Sequence, residues 1–149
     1  MAGRDINRAM DTGGEQAWCD DQRAVVIDYL ARQQIEHGKV GEWPAWHIQP
    51  HVAVWAVESA IRPGWVGWWA ISGDLPTDYT SCGAERHPRA GLRDIAERWR
   101  AAALLMGKGK TVSDWSVGAP EQRRELAPLL AARAETLLSF AADDALWSD

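Results

Sequence analysis

Residues 51–71 decide the fold: HVAVWAVESAI (51–61), RPG (62–64) and WVGWWAI (65–71). Two nearly continuous apolar runs flank a three-residue turn signal. In that turn Pro63 fixes one φ and Gly64 supplies a positive one. The pattern predicts a β-hairpin over about 51–72. The first run taken alone is also compatible with a helix, because a short apolar run carries no clear period. As strands, both runs are apolar on both faces. In the second, Trp65, Gly67, Trp69 and Ile71 point one way and Val66, Trp68 and Ala70 the other. A half-solvated sheet would show polar alternation, so either helices cover both sides or one face meets a partner.

Working outward, SGDLPTD (72–78) is a loop rich in turn formers, and 79–82 reads as a short third strand. Pro88 suits a first helical position, and Leu92, Ile95, Ala96, Trp99, Ala103 and Met106 follow at helical spacing to Gly107. A further helix is predicted over 120–141 from Leu126, Leu129, Leu130, Ala134, Leu137, Leu138 and Ala141. Pro128 should break or kink it near Ala127. Upstream, a helix is expected from Glu15 or Asp20 to His37, with Asp20 and Asp21 as caps and Gly38 as its stop. Gly41, Pro44 and Pro50 argue against a long regular element over 39–50. Residues 1–14 read as a flexible tail ending at Gly13-Gly14, and 15–149 as one globular domain. The fold class is α+β, a small antiparallel sheet packed by about three helices.

The bulk properties exclude several classes. With 149 residues, 46% hydrophobic and 25% charged, the chain has the makeup of a globular domain. It has no secretory h-region and no apolar run near the roughly 18 residues a membrane span needs. A cytoplasmic protein is expected, with Cys19 and Cys82 as reduced thiols. The net charge of −5 is uneven: residues 1–85 carry −6, 86–110 carry +5 and 111–149 carry −4. An acidic whole argues against general nucleic-acid binding, whose affinity comes mostly from neutralising phosphates.

Tryptophan is the abnormal feature: Trp 10 against Tyr 2 and Phe 1. Trp18 and Trp99 fall on helix stripes and read as core. Trp43, Trp46, Trp55, Trp65, Trp68 and Trp69 crowd into 27 residues, more indole than a small sheet hides easily. Indole couples a large apolar area to one N–H donor, which suits a contact face.

Asp74 and Asp78 flank Pro76, with Tyr79 beside them. They are ordinary Asx-turn formers, but also candidates for meeting a basic partner or for acid/base work. Arg86, Arg89 and Arg93 gather at the opening of the 88–106 helix, where orphan N–H groups favour anions. His47 and His51 are four apart, but Pro50 makes a shared helix face improbable, so no metal site is expected. His37 and His87 flank helix ends and read as caps or solvent-facing residues. No P-loop, G-x-S-x-G or dinucleotide fingerprint is present, so no cofactor is expected.

The stretch WVGWWAISGDLPTDY (65–79), with EWPAWH (42–47) and HPRAGLR (87–93), resembles a family of small bacterial proteins known as a domain of unknown function. The likeness covers roughly 17–107, leaving the tail and the C-terminal helix outside. It implies domain limits and no activity. The residues themselves favour a non-catalytic binding protein of immunity or inhibitor type. It would recognise a basic, toxin-like protein partner through Trp65, Trp68, Trp69, Asp74, Asp78 and Tyr79. One rival is a small enzyme with Asp74 or Asp78 as acid/base and Arg86, Arg89 and Arg93 binding an anionic substrate. Another is a homo-oligomer joined through its Trp face.

Overall fold

The computed structural model describes residues 2–108 and 120–147, with side chains over 14–108 and 125–147. Trp115 and the connector around it lie outside the described residues. The chain is α+β and comprises two compact units, Met1–Gly91 and Leu92–Asp149.

In the first unit, helix α1 (Ala2–Arg32) precedes five strands: β1 (His37–Val40), β2 (Trp46–Ile48), β3 (Val52–Ser59), β4 (Val66–Gly73) and β5 (Asp78–Ser81). Every pairing is antiparallel. The sheet order is β1-β3-β4-β5, with β2 also paired to β3. The 51–72 hairpin and the third strand form as the sequence predicts. Strands β1 and β2 are additions, each short enough to fit between the Gly and Pro residues that forbid a long element over 39–50.

Trp55 pairs with Ala70 and Val57 with Trp68, so these four share one sheet face with Ala53. Against that face α1 sets Cys19, Val26 and Leu30, spaced at helical intervals, and the cluster is closed by Trp18, Tyr29, Trp68 and Tyr79. Val52, Val54, Trp69 and Ile71 point the other way and are also buried. Both faces are therefore removed from water, as the two-sided apolar pattern requires. At Trp69 the fit is tight. A Cβ on Gly91 would lie 2.5 Å from the ring's Cγ.

Helix α1 departs from the sequence expectation at both ends. It runs back through residues 2–14, where Arg, Asp, Ala and Met are acceptable helix formers and the glycines cost only about 1 kcal/mol each relative to Ala. It stops at Arg32 rather than His37. Gln34 adopts a left-handed φ of 58°, and its N–H donates to Ala31 O at 3.1 Å. Gly38 lies within β1 instead of capping a helix. Arg23 then ties helix to sheet, donating to Gly41 O at 2.9 Å and Val40 O at 3.0 Å.

Helix α2 (Pro88–Gly107) crosses into the second unit, which α3 (Pro120–Ala142) and a 3₁₀ turn (Asp144–Leu146) complete. The predicted α2 stripe is buried from Leu92 to Met106. Helix α3 continues through Pro128, so of the expected break or kink the break does not occur. Ala127, Leu130, Ala134, Leu137 and Ala141 are all buried, so one apolar stripe is held on both sides of the proline. That burial outweighs a single missing backbone bond. Leu129, placed on the stripe by the sequence reading, is instead 65% exposed. Among the described residues no helix is long and apolar enough to cross a membrane.

Candidate functional site

The β3–β4 hairpin ends in a tip that its own backbone holds still. Ser59 N–H donates to Trp65 O at 2.8 Å, and Trp65 N–H to Arg62 O at 3.1 Å. Ser59 Oγ accepts from the amides of Ile61 and Arg62 at 3.3 and 3.2 Å. Gly64 takes a φ of 86°, the left-handed geometry the turn needs. Its N–H donates to Glu58 Oε2 at 2.9 Å, while Glu58 Oε1 accepts from Lys39 N at 3.2 Å. These two backbone donors, Gly64 first, hold the Glu58 carboxyl below the usual carboxylate range.

Two apolar side chains project from this fixed turn. Ile61 is 94% exposed and Trp65 is 43% exposed. The guanidinium carbons of Arg62 and Arg86 lie over the Trp65 ring, 3.9 and 4.6 Å from its centroid. Arg86 comes from the loop between β5 and α2. It reaches β4 through a left-handed φ of 48° and a 3.0 Å hydrogen bond from Nη2 to Val66 O. Beside Trp65 opens a groove of about 310 Å³ whose walls include Lys39, Val40, Glu42, Ala56, Glu58 and Val66.

Among the other described indoles, Trp55 and Trp99 are fully buried and Trp69 nearly so, Trp18, Trp46, Trp68 and Trp147 are half-buried, and Trp43, like Trp65, is exposed. Trp43 meets His47 edge-on at 5.5 Å, and Trp18 stacks on the same imidazole at 6.1 Å. His47 Nε2 is 2.5 Å from Glu15 Oε1, so this histidine is engaged by a carboxylate rather than paired with His51. Among the described residues no cluster of three or more His, Cys, Asp or Glu side chains is placed to hold a metal ion. His87 acts as a cap, its Nδ1 accepting from Arg89 N at 3.0 Å.

The residues singled out from the sequence are not brought together on one face. Trp65 is at the exposed tip, Trp68 is half-buried beneath α1, and Trp69 is 4% exposed on the opposite face of the sheet. Asp78 is buried and accepts from Tyr79 N at 2.8 Å and from Tyr29 Oη at 3.4 Å. Tyr79 is half-buried, with its ring edge-on to Tyr29. Asp74 is exposed, and its N–H donates to His51 O at 3.0 Å. Asp74 follows the far end of β4 from Trp65; eight extended residues separate them by roughly 26 Å.

Of the three arginines assigned to an anion, Arg86 joins Trp65. Arg89 sits half-buried in the first turn of α2, and Arg93 is half-buried in the second unit. Sequence reasoning passed over Ile61, Arg62 and Glu58 because they read as turn and strand-end residues. The usable signal was a basic residue and an indole bracketing a Pro-Gly turn.

No curated protein and no solved structure matches the chain. The family match spans residues 13–147 and so takes in the C-terminal helix, which the resemblance over 17–107 leaves outside. By that match the chain belongs to the DUF4826 family, a domain of unknown function.

Proposed function

We propose that this protein is a non-catalytic binding module that docks a protein partner through the tip of its β3–β4 hairpin. One observation carries the reading: Ile61 and Trp65 stay exposed on a turn whose backbone is already fixed by hydrogen bonds. A preorganised apolar anchor loses little conformational freedom on association, and exposed Trp beside Arg is the composition of interface hot spots. A small, acidic chain fits an occluding role of inhibitor or immunity type.

The partner chemistry shifts from the basic surface first expected. Asp78 is occupied by Tyr29 and Tyr79, and Asp74 lies a strand's length from the indole, so the docking surface is the cationic tip. The enzyme reading gains no support from the geometry. The groove beside Trp65 is lined by neither Asp74 nor Asp78.

The test uses a photoreactive residue at position 61 or, as control, at the exposed Asp28 of α1. Any protein linked from position 61 is identified, purified and measured against the full chain by calorimetry. Ile61→Asp is expected to weaken that complex by about 100-fold or more. Unchanged affinity, or no adduct at 61 above the position-28 background, overturns the proposal. A 61–61 adduct between two copies replaces it with self-association.

A further inference from the structure

We infer that Arg62 and Arg86, held over Trp65, form a clamp for one side-chain carboxylate on an acidic–apolar segment of the partner. This deepens the tip-docking reading and rests on it. The two guanidinium carbons lie 3.9 and 4.6 Å from one ring centroid, which places them no more than about 8.5 Å apart. Like charges that close repel, and the chain has carboxylates in excess, 21 against 16 Lys and Arg. Yet among the described residues neither guanidinium is paired with one of them. Cation–π contact of both with the one indole partly offsets the repulsion, and apart from Arg86 Nη2, which donates to Val66 O, their N–H donors make no hydrogen bond among the described residues. A planar carboxylate accepting from both is the complement of that arrangement.

The surroundings narrow the segment further. On the groove side of Trp65 stand Glu42 and Glu58 with one cation, Lys39, and the amides of Gly64 and Lys39 hold the Glu58 carboxyl below its usual range. The balance there is one negative charge, which disfavours a second acid, whereas Val40, Ala56 and Val66 offer an apolar wall. The segment therefore carries one acidic residue beside an uncharged apolar one.

The experiment follows the Trp65 indole N–H and the Nε–H signals of Arg62 and Arg86 by NMR in the full chain. The probes are end-blocked Leu-Glu-Leu, its isostere Leu-Gln-Leu, and inorganic phosphate. The glutamate peptide is expected to shift all three signals saturably, at least about ten-fold tighter than the glutamine peptide. Arg62→Gln and Arg86→Gln should each remove most of that preference while the buried Trp55 indole signal stays in place. Equal binding of the two peptides, or no response to Leu-Glu-Leu into the millimolar range, overturns the clamp. Phosphate matching the glutamate peptide also overturns it, leaving an unspecialised anion site. If a partner links at position 61 while the peptides are indistinguishable, the clamp fails and the docking reading stands.

Discussion

Trp55 donates from its indole Nε1 to Ser72 Oγ at 3.1 Å, and both residues are completely buried. The bond runs diagonally between β3 and β4, because Trp55 faces Ala70 and Ser72 faces Ala53. A one-residue slip would flip the indole to the other face and orphan both groups. Ser72→Ala is therefore expected to destabilise the protein by about 1–3 kcal/mol in urea unfolding. Adding Trp55→Phe should cost less than the sum of the two single changes, since the donor left unsatisfied is then gone.

Gly91 and Trp69 give a second packing test. Alanine in a helix normally gains about 1 kcal/mol over glycine. Here the new methyl would sit 2.5 Å from Trp69 Cγ, beside a ring that is 4% exposed and has nowhere to move. Gly91→Ala should lower stability by about 1–3 kcal/mol despite the better propensity. A higher Tm for the variant would contradict this packing.

Exposure predicts opposite outcomes for two tryptophans four residues apart. Trp69→Ala should cost about 3–5 kcal/mol, the range for emptying a core aromatic site. Trp65→Ala loses only a half-exposed ring and its guanidinium contacts and should stay within about 1 kcal/mol of the parent. Denaturant midpoints of the two variants check the order.

The thiols should differ in reactivity. Burial, then the charges of Glu15 and Asp20, pushes the Cys19 thiol from 9.0 up to about 11. Cys82 is only half-buried. At pH 8 an uncharged disulfide reagent should label Cys82 about 100-fold faster than Cys19 in the folded protein. Because the folded value is raised, Cys19 contributes stability that is fully present below about pH 9 and is lost as pH climbs towards 11. Cys19→Ala should flatten that alkaline decline.

Glu58 works in the opposite sense. Its lowered folded pKa means that its hold on the tip is present above the ordinary carboxylate range and is lost as pH falls through the lowered value. Amide exchange at Gly64 and Lys39, corrected for intrinsic rates, should quicken on acidification. In Glu58→Gln one of the two amides should exchange faster at neutral pH as well, because a carboxamide oxygen replaces only one of the two acceptors.

The hairpin was legible because Pro63-Gly64 fixes a local turn, and two apolar runs on either side can only pair across it. Helix α2 was legible because its stripe from Leu92 to Met106 repeats at 3.6 residues. By contrast, β1 and β2 have three or four residues each, too few to show a period. They exist because the edge of β3 offers unpaired backbone groups.

By itself, the sequence determined the α+β class, the hairpin and its turn, and a two-faced apolar sheet, all of which follow from local dihedral limits and the period of burial. Which indoles end inside and which outside was decided only by the tertiary structure. Trp65, Trp68 and Trp69 are near-neighbours of the same type in one strand region. Their fates depend on α1 covering Trp68, on Gly91 admitting Trp69, and on the tip carrying Trp65 past the end of the sheet to meet Arg62 and Arg86.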